Sequence, residues 1–126
     1  MYDDREAFAL AEKHPRAHEV RCLGMAQAAR EIAPADQAFV LAVTPGHDQD
    51  GDVLQALFDC QARPRYLGMI GSKYERAQVF AKLQGRGVSA EFLERVHTPM
   101  GLDIGSRTHE EIAVSVLGEL IAVRRG

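Results

Sequence analysis

Two short, almost continuously apolar segments stand out in the pattern of hydrophobic and polar positions. They are residues 37–43 (QAFVLAV) and 65–71 (RYLGMIG), and residues 44–46 (TPG) end the first. Runs of this length are typical of strands buried on both faces of a parallel sheet. The sequence therefore predicts two central strands here. Residues 18–22 form a further strand candidate, and residues 25–32 fit neither pattern clearly.

Apolar positions with helical spacing follow both predicted strands. Asp50 is placed to cap a first helix, and Ser72 and Glu75 have the spacing of a capping box at the start of a second, which is expected to end at residues 84–85. The side chains expected to face the core are Val53, Leu54, Leu57 and Phe58 in the first helix and Ala77, Phe80 and Leu83 in the second.

Three further helices are predicted. Asp4 can cap one that ends near residues 14–15, and Ser89 can cap a short one that runs to Val96. The clearest begins at Thr108, where THEE again has the spacing of a capping box. Its apolar positions recur every three or four residues, at Ile112, Val116, Leu120 and Val123.

Strands that alternate with helices predict an α/β fold, a parallel sheet with flanking helices of the doubly wound type. A chain of 126 residues with 46% hydrophobic content suits one such domain. In these sheets ligands bind beyond the carboxyl ends of the strands. Three predicted loops lie there, at residues 44–50, 68–73 and 99–107.

Charge and cysteine content narrow the class of protein. The net charge is −3 and the basic residues are scattered, so no nucleic acid is expected as a partner. No apolar segment approaches the roughly 20 residues that a membrane-spanning helix needs. Cys22 and Cys60 have no C-x-x-C spacing and no apolar leader precedes them, which favours the cytoplasm.

Gly68, Gly71, Ser72 and Lys73 are the first candidates for ligand binding. They lie where a predicted strand gives way to a helix, and the free amides and dipole of a helix N-terminus favour a phosphate. Close packing of the helix on the strand explains the same glycines about as well. The positive charge of Lys73 and Arg76 favours the ligand.

Two polar residues in the other loops are also candidates. His47 can bind or orient a ligand, and Asp103 can accept from its amino or ring N–H groups, although a solvated histidine and an aspartate that binds loop amides are equally ordinary. The three aspartates at 48, 50 and 52 have calcium-loop spacing, but Val53 stands where the loop needs glycine. No catalytic or metal site is predicted.

Residues 44–58 (TPGHDQDGDVLQALF), 65–80 (RYLGMIGSKYERAQVF) and 96–126 together resemble the C-terminal Rossmann-type domain of the XdhC/CoxI family. The resemblance rests on three motifs in order. Residues 2–20 are similar to the stretch that follows the second strand of that domain. It implies a non-catalytic accessory protein that binds molybdenum cofactor (molybdopterin) and helps deliver it to the apoenzyme of molybdenum hydroxylases such as xanthine dehydrogenase.

In such a protein the cofactor phosphate would meet the Gly71 turn, and the edge of the pterin would meet His47 or Asp103. The sequence departs from the family pattern at Pro45 and Gln49, which replace a basic residue and a second histidine. The turn after Gly71 also carries less positive charge than the family's G-S-R-R-K.

The family's first strand, Gly-rich loop and first helix have no counterpart in residues 1–126, so the resemblance implies a Rossmann-like domain that is incomplete at its N-terminus. We then expect exposed apolar edges at Val40 and Ile70, and a homodimer or a complementing chain as partner. Two alternatives stay open. One is a nucleotide-dependent oxidoreductase, disfavoured without the Gly-rich loop, and the other is a protein-interaction module with no small ligand.

Overall fold

The computed structural model describes residues 1–126 and contains two parallel sheets. In the smaller sheet, β1 (Tyr2–Asp3) pairs with β2 (Arg21–Cys22). In the larger, β4 (Tyr66–Met69) lies between β3 (Phe39–Ala42) and β5 (Val96–His97). Every pair is parallel, which confirms the α/β fold.

Five α-helices connect and cover the strands: α1 (Met25–Ile32), α2 (His47–Asp59), α3 (Lys73–Gly85), α4 (Ala90–Glu94) and α5 (His109–Arg125). A short 3₁₀ turn, Ala11–Lys13, links β1 to β2. None of the helices combines the length and the apolar content needed to cross a membrane.

The main core lies on one face of the larger sheet, beneath α1 to α4. Leu67 and Met69 of β4 project into it, and the helices meet them with buried side chains. These helix residues are Ala29, Leu54, Leu57, Val79, Leu83 and Leu93. The alternation of side chains along β4 therefore sends Tyr66 and Gly68 to the opposite face.

The second core lies on that opposite face, beneath α5. Tyr66, Met100 and Val116 form its buried centre. The Tyr66 ring stacks between Phe39 of β3, at 5.9 Å, and His97 of β5, at 4.5 Å. One aromatic ring from each strand therefore ties the larger sheet together under α5.

The predicted caps form at three helices. Thr108 and Glu111 make the complete capping box of α5. Ser72 and Ser89 accept from the amides of Glu75 and Phe92, at 3.2 and 3.1 Å. The N-terminal boundaries of these helices were therefore predicted correctly, but the capping box predicted at Ser72 forms only in part, because the Glu75 side chain makes no return bond to the Ser72 amide.

One predicted helix is absent, and two others differ from the prediction at one boundary. Residues 5–14 form no α-helix, because Phe8 is exposed and packs only on the charged ends of Arg5 and Lys13, so no core stabilises a helix there. The helix predicted from Asp50 begins at His47, with Gly46 as its N-cap. The helix after Ser89 ends at Glu94, and Val96 is in β5.

Two burial predictions also need correction. Ala77 of α3 is exposed, and Val79 takes the predicted inward position instead. β3 is not buried on both faces, since Leu41 is 38% exposed and Val43, just beyond the strand, is 59% exposed. The open side of β3 faces the smaller sheet.

Candidate functional site at the carboxyl edge of the sheet

The three loops predicted to form a site do follow the carboxyl ends of β3, β4 and β5. Because the strands are parallel, residues 43–46, 70–72 and 98–108 emerge at one edge of the larger sheet. This edge also holds the N-termini of α2 and α3. The free amides and positive dipole ends of two helices therefore converge there.

The first loop is organised by Asp50, which lies in the first turn of α2 and is only 1% exposed. Its Oδ1 accepts from the Thr44 amide at 2.9 Å and lies 2.6 Å from the Thr44 hydroxyl. That hydroxyl also lies 2.8 Å from the Gly46 carbonyl oxygen. Burial raises the pKa of the Asp50 carboxyl, against the lowering effect of the bonds from Thr44. Asp50 thus holds the turn in shape from beneath.

The second loop turns at Gly71, whose φ of +136° is open to glycine but strained for other residues. Ser72 Oγ accepts from the Glu75 amide. The Lys73 and Tyr74 amides, at the start of α3, have no acceptor within the chain. These two amides are the free donors that the predicted phosphate site requires.

A carboxylate stands beside this turn. Glu75 Oε2 lies 2.9 Å from the point where a Cβ of Gly71 would be. Asp50 and Glu75 lie in the first turns of α2 and α3, at the same edge of the sheet, and the charge of Glu75 is among the influences that raise the pKa of Asp50. Lys73 is exposed and opposes this negative charge. A phosphate at the turn would therefore have to displace the Glu75 side chain or bind with a bound cation.

The other predicted residues are more widely placed. His47 begins α2 and is exposed, and its charge would lower the pKa of Asp50. Asp103 is exposed in the loop before α5. Gly68 is buried in β4, where an added Cβ would come within 2.6 Å of Met100 Sδ and 2.7 Å of the Tyr66 ring. Gly68 therefore has a packing role at this position.

The three aspartates with calcium-loop spacing are spread around α2. Asp50 is buried, whereas Asp48 lies 3.7 Å from Lys82 and Asp52 lies 3.8 Å from Arg86. Asp48 and Asp52 are four residues apart on one face of α2, whereas the buried Asp50 lies on another face, so the three carboxylates cannot converge on one ion. No group of three or more His, Cys, Asp or Glu side chains in the chain is placed to hold a metal.

A cavity of about 410 Å³ lies between β1 and β3, and its lining was not among the predicted site residues. We call it the β1–β3 groove. Residues 1–5 form one wall, residues 38–45 form the other, and α1 and α2 form the floor. The sequence signal for it is the open apolar edge expected at Val40, which lines the groove, and Leu41 of the same strand is 38% exposed.

Parallel strands between two helical layers, with loops converging at one edge, define an α/β domain of the Rossmann type. The family can be stated more closely. The chain belongs to the XdhC Rossmann domain family, whose model matches residues 1–120.

Three proteins that are similar to this domain have longer chains. It is 30% identical over 125 residues to a probable xanthine dehydrogenase subunit of Bacillus subtilis, covering 98% of this chain and 34% of that protein. It is 35% identical over 101 residues to the uncharacterized protein YqeB of Escherichia coli, covering 80% of this chain and 18% of that one.

A solved structure described as a xanthine dehydrogenase from Bacillus halodurans superposes with a TM-score of 0.79 at 28% identity. The match covers 98% of this chain and 34% of that one. The chain therefore spans about a third, or less, of the length of the relatives it matches.

Proposed function

We propose that this domain is a non-catalytic accessory module that binds molybdenum cofactor as cargo during maturation of xanthine dehydrogenase-type molybdenum hydroxylases. The observation that carries the proposal is the pair of unpartnered amides, Lys73 and Tyr74, beside the Gly71 turn. Membership of the XdhC Rossmann domain family, and the names of two similar proteins, support the choice of cargo and client.

The residues of this edge fit the cargo in chemical class. Molybdopterin carries a phosphate, and two amides at a helix N-terminus with an exposed Lys73 are suitable donors for it. His47 and Asp103 are exposed in the neighbouring loops, where they are available to a polar pterin edge. Glu75 is the unfavourable group, because its carboxylate lies against the Gly71 turn.

The proposed role is binding and protection of the cargo rather than chemistry. The hydroxyl beside Asp50 is that of Thr44, which lies 2.6 Å from Asp50 Oδ1 and 2.8 Å from the Gly46 carbonyl oxygen, so its contacts hold the turn in shape. The proposed partner is the apoenzyme that receives the cofactor. Cys22 and Cys60 are free thiols, which fits a reducing cytoplasm as the place of action.

The test is retention of pterin by the purified chain. The protein is expressed in cells with intact cofactor biosynthesis, and bound pterin is measured by fluorescence after oxidation. We expect pterin with the wild-type chain and a several-fold loss with Lys73→Glu. The matched control is Arg63→Glu, which makes the same change of charge at an exposed residue before β4, at the opposite edge of the sheet.

A second variant tests the electrostatic part of the proposal. Glu75→Gln removes the negative charge beside Gly71 while leaving the Glu75 backbone amide to Ser72, so we expect it to retain more pterin than the wild type. Equal retention by the wild type, Lys73→Glu and Arg63→Glu would contradict binding at this turn. Absence of pterin from the wild type and from Glu75→Gln would contradict cofactor binding altogether.

A further inference from the structure

The two sheets present unpaired backbone edges to the same groove. Residues Ala38 and Ala42 of the β3 region accept from Tyr66 and Ile70 of the β4 region. In a strand the N–H and C=O groups of one residue point to the same edge, and those of the next residue point to the other edge. The N–H and C=O groups of Phe39, Leu41 and Val43 therefore point away from β4. β3 is the outermost strand of its sheet on that side.

The same reasoning applies to β1. The carbonyl oxygens of Met1 and Asp3 accept from the amides of Arg21 and Leu23, at 2.9 and 3.2 Å. The N–H and C=O groups of Tyr2 therefore point to the other edge of β1. Both unpaired edges border the β1–β3 groove, because residues 1–5 and 38–45 form its two walls.

The interior of the groove is apolar. Hydrophobic side chains make up 14 of its 20 lining residues. The floor is formed by α1 and α2 through Met25, Ala28, Ala29, Ile32, Val53 and Leu57. An apolar groove between two backbone edges has the chemistry of a slot for one more strand, which would be paired on both sides and buried against the helices.

Strand order gives the same answer. The chain has β2 beside β1, and β3 beside β4 beside β5, all parallel within their sheets. Doubly wound Rossmann sheets have the order 3-2-1-4-5-6. One parallel strand between β1 and β3 turns the two sheets of this chain into that continuous order. The α1 helix, which leads from β2 to β3, then covers the added strand.

We propose that the β1–β3 groove binds an apolar β-strand of a partner polypeptide, parallel to β1 and β3, to complete one six-stranded sheet. The strand matches the four residues of β3 in length, and branched apolar side chains suit a groove whose floor and β3 wall are both apolar. A polypeptide source is consistent with the relatives, in which about two thirds or more of each chain lies outside the matched region.

The proposal is independent of cofactor binding and is tested with a defined probe. The probe is the synthetic peptide Lys-Val-Ile-Val-Val-Gly-Lys with a fluorescent label, titrated with the full chain and followed by anisotropy. The control peptide has proline in place of the central valine, which removes a ladder donor. We expect saturable binding of the first peptide and loss of binding with the second.

Hydrogen exchange locates the bound strand. The peptide should slow exchange of the Tyr2, Phe39, Leu41 and Val43 amides, which point into the groove, relative to neighbouring amides already in the ladders. Leu41→Lys places a charge on the open edge and should weaken peptide binding by about tenfold. Leu117→Lys, at an exposed apolar position on α5, should leave binding within about twofold of the wild type.

Four outcomes overturn the proposal: no binding by a chain whose circular dichroism shows it folded, equal binding of the proline peptide, protection outside the groove, or equal effects of the two lysine variants. Self-association that Leu41→Lys abolishes, with no peptide binding, would assign the groove to a second copy and also overturn it. Pterin retention is measured separately, so failure of one proposal leaves the other testable.

Discussion

The Tyr66 hydroxyl donates a 2.6 Å hydrogen bond to Oε1 of Glu119, and this bond joins the central strand β4 to α5. The same oxygen accepts from the Gly101 amide at 3.2 Å and lies 3.5 Å from His97 Nδ1. Burial, together with the bond to Glu119, raises the pKa of the Tyr66 hydroxyl, which therefore stays protonated as a donor.

Replacing Tyr66 with Phe should lower the free energy of unfolding by about 2 kcal/mol, because Glu119 loses a buried donor and keeps its charge. The measurement is urea denaturation followed by circular dichroism. Tyr74→Phe is the control, since Tyr74 is 72% exposed and its hydroxyl only accepts from Gln78. Equal losses in the two variants would show that the Tyr66–Glu119 hydrogen bond contributes no more to the free energy of unfolding than an exposed one.

Gly68→Ala should destabilise the domain by about 1–3 kcal/mol, because the new methyl group overlaps Met100 and the Tyr66 ring in a packed core. Gly85→Ala is the comparison. Gly85 ends α3 with nothing near its Cβ position, so alanine there should be neutral or stabilising by about 0.5–1 kcal/mol. Thermal denaturation of both variants checks the pair, and a stable Gly68→Ala would remove the packing role assigned to Gly68.

Asp50 should make the stability fall as the pH rises. Its pKa is raised in the folded state by burial, so from about pH 4, where the unfolded carboxyl ionises, up through its folded pKa the folded chain binds more protons than the unfolded chain. A rise in pH across this window therefore favours unfolding. Asp50→Asn, which keeps an acceptor for the Thr44 amide, should lose this part of the pH dependence.

The experiment compares urea denaturation of the wild type and Asp50→Asn at several pH values. Asp52→Asn serves as the control, because Asp52 is exposed and lies beside Arg86. The difference in unfolding free energy between the wild type and Asp50→Asn should shift in favour of the variant with rising pH. A difference that is constant with pH would mean that Asp50 titrates as it does in the unfolded chain.

Thr108→Ala should cost about 1 kcal/mol, because the Thr108 hydroxyl accepts from the Glu111 amide at 3.1 Å and closes the first turn of α5. Thr108→Ser keeps the acceptor and should recover most of the loss. Thermal denaturation distinguishes the two. If alanine and serine behave alike, the methyl group rather than the cap is the source of the stability.

The helix starts that the sequence predicted best depend on residues that are close together in the chain. Thr108, Ser72 and Ser89 each cap the helix that follows, and the hydrogen bond involved spans only three residues. The helix predicted at residues 5–14 failed for the converse reason. Asp3, next to the predicted cap Asp4, bonds to Arg5 instead, and no apolar partner meets Phe8.

Features that depend on distant residues could be predicted only in part. The buried position of Asp50 follows from its bonds to Thr44 across the loop, which no spacing rule indicates. An open apolar edge was expected at Val40 and Ile70. Ile70 is 38% exposed, but its amide bonds to Ala42, and the open edge belongs to the other peptide groups of β3.

The β1–β3 groove has one consequence for how the domain behaves in a cell. A strand that binds only the folded chain adds RT ln(1 + [L]/Kd) to its stability, or about 2.7 kcal/mol at a hundredfold excess over Kd. Melting temperature would then report partner abundance. The domain would then resist proteolysis while the partner polypeptide is present in the cell. It would be degraded faster when the partner is absent.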